Sequence, residues 1–159
     1  MTEAGCAMKR FKLLVAGMCV AAVVLSTSVA FAKPLSEQQW RKQANAVCSK
    51  SYTELHDIQN KVLANLGPNE EPSTAVLADY VEESTPVVNA MIASIDALKE
   101  PKALKKDVKK FLAAGSAVQA ALQADPAALH SDTPDSPRPN PYVKVSSLAL
   151  RLGLKTCAI

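Results

Sequence analysis

Residues 36–66, SEQQWRKQANAVCSKSYTELHDIQNKVLANL, constrain this chain more than any other stretch. Trp40, Ala44, Val47, Leu55, Ile58, Val62 and Leu66 recur at steps of three and four, with Ser51 taking its turn in the row. A helix brings such positions to one face, so the spacing predicts a single amphipathic helix over about 37–66. Ser36 is a natural N-cap, and Gln39 stands three residues on, as a capping box requires. Gly67-Pro68 supplies a stop, because glycine accepts a left-handed C-terminal turn and proline cannot easily continue the ladder. Cys48 lies one position past Val47, beside the apolar stripe. A rod this long has to be covered by whatever follows it.

What precedes it reads as an address. Lys9, Arg10 and Lys12 form a basic head, the apolar run LLVAGMCVAAVVL follows, and Ala30-Phe31-Ala32 has the small–any–small pattern of a cleavage site. A signal peptide over 1–32, cut after Ala32, is the expected reading. Met1 to Ala7 extends ahead of the basic head, which makes Met8 an alternative start. A retained membrane anchor is the competing reading, although the apolar run is short for a span. Lipid attachment at Cys19 is a third, opposed by Met18 where a small residue is needed.

Cleavage would take 32 of the 159 residues, three of the 18 basic side chains and one of the 15 acidic ones. The remaining 127 residues carry 15 basic and 14 acidic groups, a balance too even for a nucleic-acid partner. Two of the four cysteines, Cys6 and Cys19, would go with the leader. Cys48 and Cys157 then have one possible intramolecular pairing, in a compartment that permits oxidation. A metal pair and a catalytic thiol compete with that disulfide, but neither cysteine has partners at zinc-site spacing.

Three more helices are expected. Ser73 can cap one over about 74–99, with Leu77, Tyr80, Val81, Val87, Val88, Met91, Ile95 and Leu98 in its apolar row. Pro86 falls inside it and should kink it. Pro101 suits the first turn of the next, over about 101–124. Leu104, Val108, Phe111, Gly115, Val118 and Leu122 form its core row, and Gly115 suggests close approach by a neighbour. A short turn follows Asp125-Pro126 and ends near His130. Residues 131–140, SDTPDSPRPN, read as an exposed loop. Asn140 and Pro141 open a last helix over about 141–152, ended by Gly153. Tyr142, Val145, Leu148, Ala149 and Leu152 share one face, with Val143, Leu150 and Leu154 beside it, and so apolar a segment is expected to be well buried.

Low glycine and aromatic content favours helix over sheet. The expectation for 33–159 is an all-α, up-down antiparallel four-helix bundle, with one disulfide joining the first helix to the C-terminal tail. Such an order sets the tail nearer the start of the first helix than its end, where Cys48 stands.

Ala44-Asn45-Ala46-Val47-Cys48 and Gly153-Leu154-Lys155-Thr156-Cys157 resemble the opening and closing motifs of a group of small exported helical proteins of actinobacteria. These are hypothetical secreted proteins or lipoproteins with Ala-Asn-x-x-Cys near the mature start and Gly-Leu-x-x-Cys at the end. The resemblance implies export and a disulfide. It implies no chemistry, and the proline-rich loop and the missing lipidation cysteine depart from the pattern.

Catalytic motifs are sparse. Gly-x-Ser-x-Gly, a phosphate-binding glycine loop, Glu-x-x-His pairs and Cys-x-x-Cys-His are all absent, and no cofactor is implied. His56 lies near Glu54 and Asp57, which could make it a base or metal ligand in a metal-dependent hydrolase. Neighbours on a helix point in different directions, so a solvated surface explains the trio as well. His130, near a helix end, is explained by the helix dipole. Glu70-Glu71 and Glu82-Glu83 could meet a hard cation or simply face water. Lys102, Lys105, Lys106, Lys109 and Lys110 form a stripe able to meet a polyanion, or merely the wet side of an amphipathic helix. The sequence therefore suggests an exported, non-enzymatic bundle of the envelope or extracellular space, with an envelope protein, polymer or lipid as partner. An apolar ligand could lodge where Pro86 opens the packing.

Overall fold

The computed structural model describes residues 35–67, 70–132 and 140–158, the last three residues before the gap at 133 by backbone alone. The expected leader over 1–32, Pro68, the side chain of His130 and most of the loop over 131–140 lie outside the described residues. Among the described residues there are four α-helices and no strand: α1 (Glu37–Leu63), α2 (Thr74–Asp96), α3 (Lys105–Ala124) and α4 (Val143–Leu152). Short 3-10 helices span Pro126–Asp132 and Lys155–Cys157. Cys48 and Cys157 form a disulfide, with Cα atoms 5.2 Å apart.

Local chemistry sets most helix ends. The Ser36 hydroxyl accepts from Gln39 N, and Gln39 Oε1 accepts from Ser36 N in return, so two orphan donors are satisfied at once. Ser73 caps α2 through the Val76 N–H. Other ends depart from expectation. α1 stops three residues early, in a turn through Ala64 and Leu66, and Gly67 takes no left-handed conformation. The C-cap is Ala64, whose N–H donates to Lys61 O, and beyond it Glu70 closes a local turn: its carboxylate accepts from Gly67 N while its own N–H donates to Gly67 O. α2 ends at Asp96 rather than 99, because the Lys99 carbonyl accepts from Leu35 N and Pro101 disfavours helix in the residue before it. Pro101 opens a separate turn, closed by Leu104 N to Pro101 O, and α3 starts only at Lys105. α4 begins two residues late, although Asn140 still anchors its start by accepting from Tyr142 N at 2.7 Å.

α2 runs unbroken through Pro86. In the turn before the proline, the Ser84 and Thr85 hydroxyls both donate to the Val81 carbonyl. Gly115 does not mark an obligatory close approach, since a Cβ there would meet Ile92 only at 3.6 Å.

The core gathers at one end of the bundle. It is made by Trp40 and Ala44 of α1, Ile95 near the end of α2, Val108 and Phe111 early in α3, and Leu148 and Leu152 of α4. Trp40 is fully enclosed and its indole N–H has no hydrogen-bond partner, a penalty of about 1–3 kcal/mol set against the largest apolar burial in the chain. Burial of α4 is one-sided. Leu154 is enclosed, but Val143 and Leu150 are 61% and 60% exposed, because α4 packs the face carrying Val145, Leu148 and Leu152 and no element among the described residues covers the other.

The two short motifs at the chain's ends meet. Asn45 Nδ2 donates to the Gly153 carbonyl, and Asn45 Oδ1 accepts from both the N–H and the hydroxyl of Thr156. The Thr156 hydroxyl also lies 2.9 Å from the Asn45 carbonyl, and Arg41 Nε donates to Leu152 O at 2.8 Å. Gly153 has φ +76°, and a Cβ there would stand 3.0 Å from Arg41 Cδ. Both the backbone and the space reserve that position for glycine.

Two outcomes follow for stability. Replacing both cysteines by serine opens a loop of 109 residues, and thermal unfolding followed by far-ultraviolet dichroism should report a loss of roughly 4–5 kcal/mol. Gly153→Ala should cost at least about 1–2 kcal/mol from the left-handed backbone alone. Urea titration followed by the fluorescence of Trp40 measures it, and an unchanged midpoint would contradict the clasp.

Candidate functional site

The far end of the bundle is hollow. α1 spans about 40 Å and α4 about 15 Å, at 1.5 Å per residue, so α4 covers only the packed half. Tyr142, its N-cap, and Val145 in its first turn already line a cavity of about 560 Å³. Beyond them the wall is completed by Leu129 of the 3-10 helix and by Pro72 of the α1–α2 connection. Leu55 and Leu63 of α1, Leu77 and Val88 of α2, and Val118 and Leu122 of α3 supply most of its surface. The disulfide closes the end next to the core, since Cys48, Thr156 and Cys157 are all part of the wall.

Polar side chains stand at several places in the wall, Tyr80, Tyr142 and Thr156 among them. Tyr52, His56 and Gln59 are exposed wall residues and make the mouth. The Tyr52 and His56 rings stack with centroids 6.4 Å apart. Ser84 and Gln119 stand inside, 5% and 7% exposed. Gln119 Nε2 donates to Thr85 Oγ1 at 2.7 Å, bridging α3 to α2, and the Ser84 hydroxyl donates to Val81 O. Beyond these bonds Gln119 keeps a second amide proton on Nε2 and its Oε1 oxygen, and Ser84 its oxygen, for further hydrogen bonds. Burial pushes the phenol of Tyr80, another wall residue, above its ordinary pKa. None of the wall residues is an aspartate, glutamate, lysine or arginine. The space suits an uncharged, mainly apolar molecule.

The sequence candidates are scattered by comparison. His56 Nδ1 faces Asn60 Nδ2 at 3.0 Å, and Glu54 pairs with Lys50 at 3.6 Å. Neither contact joins the histidine to Glu54 or Asp57. Among the described residues no three His, Cys, Asp or Glu side chains converge as a metal would need. Glu83 is paired with Lys61 across α1 and α2 at 2.8 Å, and Glu70 is spent on Gly67. Lys102, Lys105, Lys106, Lys109 and Lys110 are all exposed, with Lys110 at 3.7 Å from Asp107.

Periodicity alone passed over Ser84 and Gln119. Each stands on an apolar row, Ser84 between Val81 and Val88 and Gln119 between Gly115 and Leu122. A polar residue in such a row is the one signal that could have marked them. No helix of the described residues is long and apolar enough to cross a membrane. No protein-family model matches the chain, and no curated protein or solved structure does either.

Proposed function

We propose that this chain is an exported, non-enzymatic binding module of the cell envelope or extracellular space, which holds a small apolar molecule in its hollow half. One observation carries the reading: a cavity of about 560 Å³ with no aspartate, glutamate, lysine or arginine in its wall, within the size range of small-molecule sites. Up-down antiparallel packing is the topology proposed with it. Its support is that the start of α1, the end of α2 and the start of α3 share one core. Export is supported by the Lys9–Ala32 pattern and by a disulfide between the two cysteines that cleavage would leave. Kinship with the actinobacterial exported group is supported by Asn45 and Gly153, motif residues that make the clasp together with Thr156. The exposed lysine edge of α3 would favour approach to an anionic envelope surface.

Two measurements test this. Protein expressed from the full chain in a secreting host should begin at Lys33 and show neither Cys48 nor Cys157 alkylated after thiol blocking. An uncut chain or two labelled thiols would remove export from the account. Nile red, an uncharged dye that brightens in apolar surroundings, should bind one per chain. Val88→Trp, which fills the cavity from α2, should weaken that binding at least about tenfold while the helical dichroism is retained. Equal binding by the variant would place the dye elsewhere and end the cavity reading.

A further inference from the structure

α4 packs one face and turns the opposite face outward. Val145, Leu148, Ala149 and Leu152 are buried in the core, which fixes where every other side chain of this ten-residue helix stands. Val143 and Leu150 lie about two turns apart on the outer face, 61% and 60% exposed. Among the described residues only Tyr52, at the cavity mouth, is a large hydrophobic side chain of comparable exposure. Ser147, exposed, lies between the pair along the helix, and exposed Lys144 and Arg151 flank the ridge on one side. Residues 131–140, which lead into α4, contain no aliphatic or aromatic side chain other than proline to cover it.

Charge narrows the occupant. From Asn140 to Ala158 the cations are Lys144, Arg151 and Lys155, and there is no aspartate or glutamate. None of the three pairs with a carboxylate of the described residues. A second copy of the chain is disfavoured, because a two-fold contact lays the patch on itself and sets cation against cation. A folded protein partner is poorly matched, since a lone helix face is convex and protein interfaces are held by anchors seated in pockets. An anionic bilayer asks for less: aliphatic side chains that enter the headgroup boundary, and long basic ones that reach back to the phosphates.

We propose that the outer face of α4 docks on an anionic lipid surface. Val143 and Leu150 enter the headgroup boundary, Lys144 and Arg151 meet lipid phosphates, and Lys155 adds to the local positive charge. The inference rests on the proposed envelope location and makes no use of the cavity.

Protein secreted from the full chain is sedimented with vesicles of phosphatidylglycerol and phosphatidylcholine, and with vesicles of phosphatidylcholine alone. Binding to the anionic vesicles should be at least about tenfold tighter and should weaken as salt is raised. Lys144→Gln with Arg151→Gln should lower it about tenfold or more, and Val143→Ser with Leu150→Ser at least about fivefold. All four side chains are exposed, so the helical dichroism should be retained. Leu150→Trp puts an indole on the ridge, and brominated lipid should quench its fluorescence while Trp40 stays enclosed.

Equal binding to both kinds of vesicle, or binding to neither, would overturn the proposal. So would loss of binding in Lys105→Gln with Lys106→Gln and Lys109→Gln while the α4 variants bind normally, which would move the contact to α3. Self-association that Val143→Ser with Leu150→Ser abolishes, seen by sedimentation velocity, would give the face to a second copy instead. A chain cut at Lys33 that ignores vesicles would end this inference and leave export standing. An uncut chain that binds anionic vesicles through α4 would do the reverse.

Discussion

The fastening of the tail onto the first half of α1 is the constraint on which the rest of the structure depends. A disulfide makes that closure permanent, and Asn45 gives it a direction by bonding to Gly153 on one side and Thr156 on the other. Both halves of the clasp come from residues within one helical turn of a cysteine. With the tail fixed there, the apolar face of α4 has one place to go, against Trp40, Phe111 and Ile95. The left-handed turn at Gly153 is what lets the chain leave α4 and reach α1 at once. Any side chain there would push on Arg41, whose guanidinium holds the last carbonyl of α4.

Anchoring α4 at this end divides the bundle into two regimes. One end is close-packed and covalently closed, and the other is three long helices without a fourth of matching length. Helices that diverge from a shared core need side chains to fill the space between them, and the short 3-10 helix with Leu129 only partly does so. Such a division lets stability concentrate at one end while the other remains adaptable, a common arrangement at binding sites. Ser84, Thr85 and Gln119 belong to the hollow end for the same reason. In a solid core their desolvation would be a net penalty, whereas beside a cavity they hold α3 to α2 and keep hydrogen-bonding capacity in hand.

Much of this was legible in the residues. The three- and four-residue rows located all four helices, the capping box marked the start of α1, and Gly153 its counterpart at the end of α4. The misplaced ends have identifiable causes. α1 ended in a right-handed turn at its Ala64 C-cap before Gly67 was reached, and Pro101 formed a turn of its own instead of the first turn of α3. The burial expected of Val143 and Leu150 failed because hydrophobicity says that a side chain prefers cover, not that any element is present to provide it.

Sequence by itself determined the helical class and the approximate extent of each helix, because these follow from local spacing and capping, and it pointed to Cys48 and Cys157 as a pair only on the expectation that a leader carrying the other two cysteines is removed. Tertiary structure decided where the packing is incomplete. A cavity is a relation between elements distant in the chain: it depends on how far a ten-residue helix reaches beside one of 27, and on which sides of α1, α2 and α3 turn inward together. Periodicity assigns a residue to a face but carries no information about what stands opposite, so Ser84 and Gln119 became a site only when two helices were brought together.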